Sequence, residues 1–384
     1  MEAGSEKINI NKAIRPLTIL HLPLTITATS APYNEHCLTQ ADKHNITICT
    51  YFKSSISPPG NITLFAGDGS LKGFFRVLKA AFDEKEYDVI HAHHAPAGFL
   101  LIVASIMYRK SLQSTVFTVH NSYNNQNFKI RNKLILILIF VLFQRVVCCS
   151  QASSESLPRF FKWLAGDKIC VIQNGLDIDR LDRVVENNRG RILKNNFTIA
   201  TVGRLIEIKN PLSTLKAFQQ SASKTSRLMF LGDGRLHDLL ATESKKFGLE
   251  KRAVLTGLIQ REKVYEHLMK ADLFVSTSMG EGLPVAVLEA MACRCPVLLS
   301  DIPSHREIAD GADYIPLVQP DDAAGFAQEI DRFGRMSQLE RTKIGKKCRM
   351  LVEARFNLAT MLKGYEKVYA ELMHGEATLS GDIG

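Results

Sequence analysis

Short apolar runs recur along the chain, each closed by a polar or glycine-rich turn and followed by a helix-length segment. In the first half they are Leu17–Leu22, Ile46–Phe52, Tyr87–His91, Thr115–His120, Arg145–Ser150 and Lys168–Gln173. In the second half they are Phe197–Val202, Arg227–Leu231, Ala253–Thr256, Asp272–Ser276 and Cys295–Ser300. The runs are continuously apolar rather than alternating, as in parallel strands covered by helices on both faces. Helical segments between them include Pro211–Ser221, Arg235–Phe247, Arg261–Lys270 and Pro284–Cys293. The rhythm halts once, over the polar stretch Asn174–Asn196, and then restarts. The predicted architecture is α/β: two doubly wound, Rossmann-like domains facing each other across a cleft. The first domain is expected over 1–178 and the second over 179–359, with a linker near Asn174–Arg183. A C-terminal helix over about 360–384 is expected to pack back on the first domain.

Length agrees with this division, because 384 residues exceed the roughly 250–300 at which one hydrophobic core stops growing. With 46% hydrophobic and 23% charged residues, the composition is that of a globular enzyme and excludes collagen-like, coiled-coil and disordered chains. The formal net charge is +9, and it is unevenly spread. No acidic residue lies between Asp88 and Glu155, whereas Arg109, Lys110, Lys129, Arg131, Lys133 and Arg145 are basic. Such a stretch suits anions such as lipid headgroups or a phosphorylated substrate, or is simply a solvated face. Nucleic acid is not expected as a partner, since neither an aromatic-interleaved RNA motif nor zinc-finger spacing accompanies the charge.

The longest apolar run, Leu134–Phe143, is about half the length of a spanning helix, which needs about 20 residues. Two readings stay open for it: a buried core helix, or an interfacial segment whose basic flank meets an anionic membrane. The chain opens on Met1–Lys7, polar and charged, and its eight cysteines lack zinc or redox spacing. Both features lead us to expect a cytoplasmic protein with free thiols, peripheral on the membrane face if it binds membrane at all.

Two segments carry candidate chemistry. In Gly280–Ala292 (GEGLPVAVLEAMA), glycines precede a proline placed where a helix begins. Gly282, Leu283 and Pro284 would bring backbone amides and the positive helix end close to an anion such as a diphosphate. Glu281 precedes that helix, and Glu289 lies about 7–8 Å along it at 1.5 Å per residue. The two carboxylates thus flank the anion site, suited to two sets of sugar hydroxyls. In Val202–Pro211 (VGRLIEIKNP), Gly203 follows a strand, Arg204 offers a planar fork and Lys209 a mobile charge for a departing diphosphate. His91, His93 and His94 invite a metal reading, but no neighbouring carboxylate or cysteine completes a set, so no metal is expected.

The ordered segments GRLIEIKNP, FLGDGRL, VLTG and EGLPVAVLEAMACRCPV resemble the C-terminal domain of glycosyltransferase family 4. Weaker matches in the first half are Asp88–His93 and Thr118–His120. The resemblance implies the two-domain GT-B fold and retaining transfer from a nucleoside diphosphate sugar, used as co-substrate with no further cofactor. The acceptor would be a carbohydrate or a lipid-linked sugar. It also implies that Glu281 touches the donor hexose, Glu289 the ribose, Arg204 and Lys209 the diphosphate, and that His120 sits beside the donor sugar. One departure concerns the acceptor side: where many members carry a Gly-Gly turn, this chain reads His21–Tyr33 without glycine. A nucleotide-sugar epimerase of the same architecture and a non-catalytic sugar-binding partner subunit are the alternatives.

Overall fold

The computed structural model describes residues 15–28, 30, 32–123, 130–187, 196–222 and 225–379. Strands β1 (Thr18–Leu22), β2 (Asn45–Thr50), β3 (Ile62–Ala66), β4 (Val89–Ala92), β5 (Thr115–Val119), β6 (Arg145–Cys148) and β7 (Ile169–Val171) form one sheet. Its order is β3-β2-β1-β4-β5-β6-β7. Strands β8 (Thr198–Val202), β9 (Arg227–Leu231), β10 (Ala253–Leu255), β11 (Leu273–Ser276), β12 (Val297–Ser300) and β13 (Leu317–Val318) form a second, in the order β10-β9-β8-β11-β12-β13. Every neighbouring pair is parallel. The α/β reading therefore holds, and each expected strand lies within two residues of its place. Two strands escaped the sequence pattern, β3 and β13. Both are edge strands with mostly half-buried side chains, so neither needs the continuous apolar run that marks a central strand.

Helices cover both faces of each sheet. The first sheet buries Leu20, Phe74, Leu101, Phe117, Ile139 and Phe140 on one side. Its other side packs Ile19, Ile48 and Val116 against Tyr365, Val368 and Tyr369 of the C-terminal helix Leu358–Leu379. The polypeptide crosses between sheets twice, and the two crossings lie side by side. Leu176 N–H donates to Phe356 O at 2.9 Å, and Leu358 N–H returns to Leu176 O at 3.1 Å. Gly175 is needed there, since a Cβ would lie 2.6 Å from the Asn357 carbonyl oxygen.

The expected linker is shorter than its sequence suggests. From Ile178 the polar stretch is helical (Ile178–Asn187), with Leu181 fully buried in the core of the second domain. Its polarity belongs to the outer face of an amphipathic helix, not to a loop. The run Leu134–Phe143 is likewise two-faced within the helix Ile130–Leu142. Leu136, Ile139 and Phe140 are at most 1% exposed, whereas Leu134, Leu138, Val141 and Leu142 are 36–57% exposed. One face of the run thus belongs to the core, and the other is exposed. Lys129 lies outside the described residues. No helix among the described residues is long and apolar enough to cross a membrane.

Candidate functional site

Doubly wound sheets bind ligands at the carboxyl ends of strands where the order reverses. In the second sheet that point lies between β8 and β11. The loop after β8 carries Gly203, Arg204 and Lys209, and the loop after β11 carries Glu281 and Gly282. His120 follows β5 of the first sheet. The two sides meet at Gly282. Ser150 Oγ donates to Gly282 O at 2.8 Å, and Asn174 Nδ2 donates to Leu283 O at 3.1 Å. A Cβ on Gly282 would stand 2.2 Å from the His120 carbonyl oxygen and 2.7 Å from Cys149 Sγ. At Gly282 the missing side chain admits the opposite domain. Leu283 and Pro284 are buried beneath the turn, and Pro284 caps the helix Val285–Ala292 from outside rather than beginning it.

Gly203 adopts φ +143°, a conformation that a β-carbon resists. Arg204, next in line, is exposed, and its guanidinium makes no hydrogen bond or ion pair among the described residues. It lies toward His94, whose ring is pulled down to about 4 by burial and then by the Arg204 charge. Lys209 Nζ donates to Glu281 Oε1 at 2.5 Å, and Ser278 Oγ donates to the same oxygen at 2.7 Å. Burial alone would raise the Glu281 carboxyl, but the Lys209 charge and hydrogen bond outweigh it and hold it below its ordinary value.

Glu289 is 6% exposed, so it does not decorate a solvent face. Arg261 Nε donates to its Oε1 at 2.7 Å and Tyr265 Oη donates to the same atom at 3.1 Å. In both glutamates the protein's donors converge on Oε1, and no hydrogen bond reaches Oε2 among the described residues. The sequence reading missed Arg261 and Tyr265. Their i,i+4 spacing on one helix was the available signal, but nothing local pointed from that helix to Glu289.

Also missed was Glu35, from the first domain. It accepts from Arg261 Nη2 at 2.5 Å, so one guanidinium bridges Glu35 and Glu289 across the domain boundary. Two buried carboxylates share one cation, leaving one negative charge in excess. Burial pushes the Glu35 carboxyl up to about 7 against the pull of Arg261, and its Oε2 has no partner. Nearby, Arg180 donates to Asn34 Oδ1 and to Glu262, each at 2.7 Å.

His120 closes the first-domain side. Parallel register sets His21 beside His91, and the strand ends add His93 and His120. The His91 and His93 rings, two residues apart at the end of β4, stack with centroids 4.1 Å apart. Distant histidines, however, complete sets that the local sequence lacked. His21, His91 and His93 bring ligand atoms within 4.8 Å of one another, as do His36, His93 and His120. Among the described residues these two groups could hold a metal ion by spacing, although several of their nitrogens already bond to each other. Burial draws His120 down to about 3, so its ring is neutral and acts through hydrogen bonds rather than charge.

With this geometry in place, comparison with known proteins is decisive. Residues 39–180 match Glycosyltransferase Family 4, and residues 196–335 match Glycosyl transferases group 1. The chain belongs to glycosyltransferase family 4. This glycosyltransferase is 26% identical over 327 residues to the Escherichia coli UDP-Gal:alpha-D-GlcNAc-diphosphoundecaprenol alpha-1,3-galactosyltransferase, covering 82% of each chain. In fold it resembles Anabaena HepE in complex with UDP-glucose, with TM-score 0.75, 19% identity and coverage of 92% of this chain and 100% of that one. It also resembles sucrose-phosphate synthase of Thermosynechococcus elongatus, with TM-score 0.78, 16% identity and coverage of 93% and 100%. The fold is GT-B.

The Gly282 contact makes the transferase sensitive to one methyl group. Gly282→Ala must part the domains locally, and an ångström-scale displacement costs about 10² in turnover. Steady-state kinetics should show that loss, with secondary structure by circular dichroism unchanged.

The Glu35 carboxyl predicts a pH effect. Its affinity for a proton is higher folded than unfolded, so its contribution to stability is full below the ordinary carboxylate range. That contribution is lost as pH rises through about 7. The melting temperature of the wild type should therefore fall between pH 5 and pH 8 by more than that of Glu35→Gln; equal slopes would show that Glu35 titrates normally.

Proposed function

We propose that this enzyme transfers a hexose-type sugar, with retention at the anomeric carbon, from a nucleoside diphosphate sugar to an acceptor hydroxyl in polysaccharide or glycolipid biosynthesis. The observation that carries the reading is the exposed Arg204 on the same loop as Lys209, which pairs with Glu281, at the strand ends where such a domain binds phosphate. Arg204 and Lys209 take the donor diphosphate. As the diphosphate draws Lys209 away, Glu281 becomes free to accept a sugar hydroxyl. Glu289, oriented by Arg261 and Tyr265, turns its unengaged Oε2 to the ribose. Gly203 and the amides around Gly282–Pro284 line the same pocket by backbone.

The step balances without an enzymic nucleophile. The bond from the anomeric carbon to the phosphate oxygen breaks, the acceptor oxygen bonds to that carbon on the same face, and the acceptor proton passes to the departing phosphate oxygen. Arg204 and Lys209 stabilise the negative charge that develops there, so the mechanism requires no metal. The UDP-Gal donor and diphosphoundecaprenol-linked acceptor of the Escherichia coli relative support a UDP-sugar and a lipid-linked acceptor here.

A lipid-linked acceptor would bring the enzyme to a bilayer, and the first domain offers a face for one. Ile106 and Met107, Leu134 and Leu138, and Phe160 and Trp163 are 40–76% exposed. They sit on the helices Ala95–Tyr108, Ile130–Leu142 and Arg159–Ala165, the second of which contacts both others. Arg109, Lys133 and Arg159, all exposed, flank them. Each cation near an anionic surface contributes about 1 kcal/mol, and the aromatic pair suits the headgroup layer.

Two experiments test these readings. Arg204→Ala and Lys209→Ala should each lower turnover by about 10²–10³, the size seen on losing one transition-state donor; normal rates in both would remove the diphosphate assignment. In liposome flotation, the enzyme should rise with anionic vesicles at low salt and less so at high salt. Lys133→Glu with Trp163→Ser should weaken that binding, and no flotation at low salt would exclude the membrane face.

A further inference from the structure

Six of the histidines crowd together where the first domain meets the cleft, and the hydrogen bonds among three of them form an ordered line. Gln40 Oε1 lies 3.2 Å from His21 Nε2. His21 Nδ1 lies 2.9 Å from His93 Nε2, and His93 Nδ1 lies 3.3 Å from His120 Nε2. We propose that this line is a tautomer relay: it holds His120 with its proton on Nε2 and a bare lone pair on Nδ1, so that His120 reads the donor sugar as a hydrogen-bond acceptor. The proposal rests on the donor-site reading of His120. Gln40, His21 and His93 act through that ring as positioning residues.

Donor and acceptor counting decides each step. A carbonyl oxygen only accepts, so His21 carries its proton on Nε2. None of the hydrogen bonds of these rings among the described residues reaches a carboxylate, and burial disfavours an uncompensated charge, so each ring is neutral and holds one proton. His21 Nδ1 is then a lone pair, and the His93 nitrogen facing it must be the N–H. His93 Nδ1 is bare in turn, and the facing nitrogen of His120 must be protonated. The far end of the line is held by the C-terminal helix. Gln40 Nε2 donates to Tyr369 Oη at 3.5 Å, while that hydroxyl lies 2.8 Å from His91 Nδ1. With its amide nitrogen engaged by Tyr369, Gln40 turns its amide oxygen toward His21.

At the near end, no hydrogen bond reaches His120 Nδ1 among the described residues. His21 and His93 are at most 1% exposed, whereas His120 is half-buried beside Gly282. The line therefore ends on an acceptor at the cleft. An acceptor-only ring favours a sugar hydroxyl, which can donate, and disfavours a carboxylate or an ether oxygen at the same place. The relay thus makes His120 a filter for neutral sugars over acidic ones.

The test uses the full-length protein labelled with ring ¹⁵N-histidine, with resonances assigned from single His→Gln variants. Long-range ¹⁵N spectra of the free protein at neutral pH should show His21, His93 and His120 each protonated on Nε2 alone. A proton on His120 Nδ1, or an averaged mixture, overturns the relay. In His93→Phe the His120 signals should become mixed, and the gain in affinity of UDP-glucose over UDP should fall by about tenfold, the low end of what losing an outer partner costs. His93→Gln, which keeps a donor and an acceptor, should recover part of it; unchanged affinity in His93→Phe also overturns the relay. If His93→Phe does not fold, the wild-type spectra still decide. His120→Ala separates the two readings: if it leaves the UDP-glucose gain intact, the donor-site assignment fails whatever the tautomers. If it abolishes the gain while the wild type shows Nδ1–H, the relay alone fails.

Discussion

Everything proposed for the cleft depends on one backbone contact, the seating of the His120 carbonyl against the bare α-carbon of Gly282. It lets a strand end of the first sheet touch the loop that carries Glu281 in the second. The hydrogen bonds from Ser150 and Asn174 to the neighbouring carbonyls hold the loop in that position. A larger residue at 282 would separate the polar groups that a donor must touch together. Protein interiors are packed too tightly to absorb such a displacement without moving whole elements.

The second tie between domains is electrostatic and of a different kind. Arg261 lies between Glu35 and Glu289, all three nearly excluded from water. A buried ion pair gives little net stability over an apolar contact, but breaking one by removing a partner is expensive. Its value here is positional. Glu289 keeps a single orientation, with Oε1 held and Oε2 unengaged, and that orientation is tied to a residue of the opposite domain. The backbone contact thus sets the distance between domains, while the charge triad sets the direction of a side chain. Lys209 does for Glu281, within one domain, what Arg261 does for Glu289 between two.

Much of the fold was legible because its signals are local. Central parallel strands are buried on both faces, so they appear as unbroken apolar runs, and β8, β9, β11 and β12 were visible for that reason. Edge strands such as β3 and β13 are half-solvated and lose the signal. The helix Ile178–Asn187 was hidden in the same way, since its polar outer face dominates its composition. For the run Leu134–Phe143 the sequence could not choose between a buried and an exposed helix, because which face meets the core is decided by the neighbours.

The sequence by itself determined the family, the two-sheet architecture and the short motifs around Gly203 and Glu281. Those depend on residues close together in the chain, and their spacing and turn chemistry are written there. Only the tertiary structure decided what each side chain of the candidate site faces. Glu35 and Arg261 are 226 residues apart, and the line from Gln40 to His120 draws on β1, the end of β4 and the end of β5. Such pairings follow from strand order and domain docking, which bring distant residues within hydrogen-bond reach. His21 and His36 come within reach of His93 only through such pairing. A parallel sheet places consecutive strand ends side by side while the chain between them runs through a helix, so its densest polar cluster is the one least visible in one dimension.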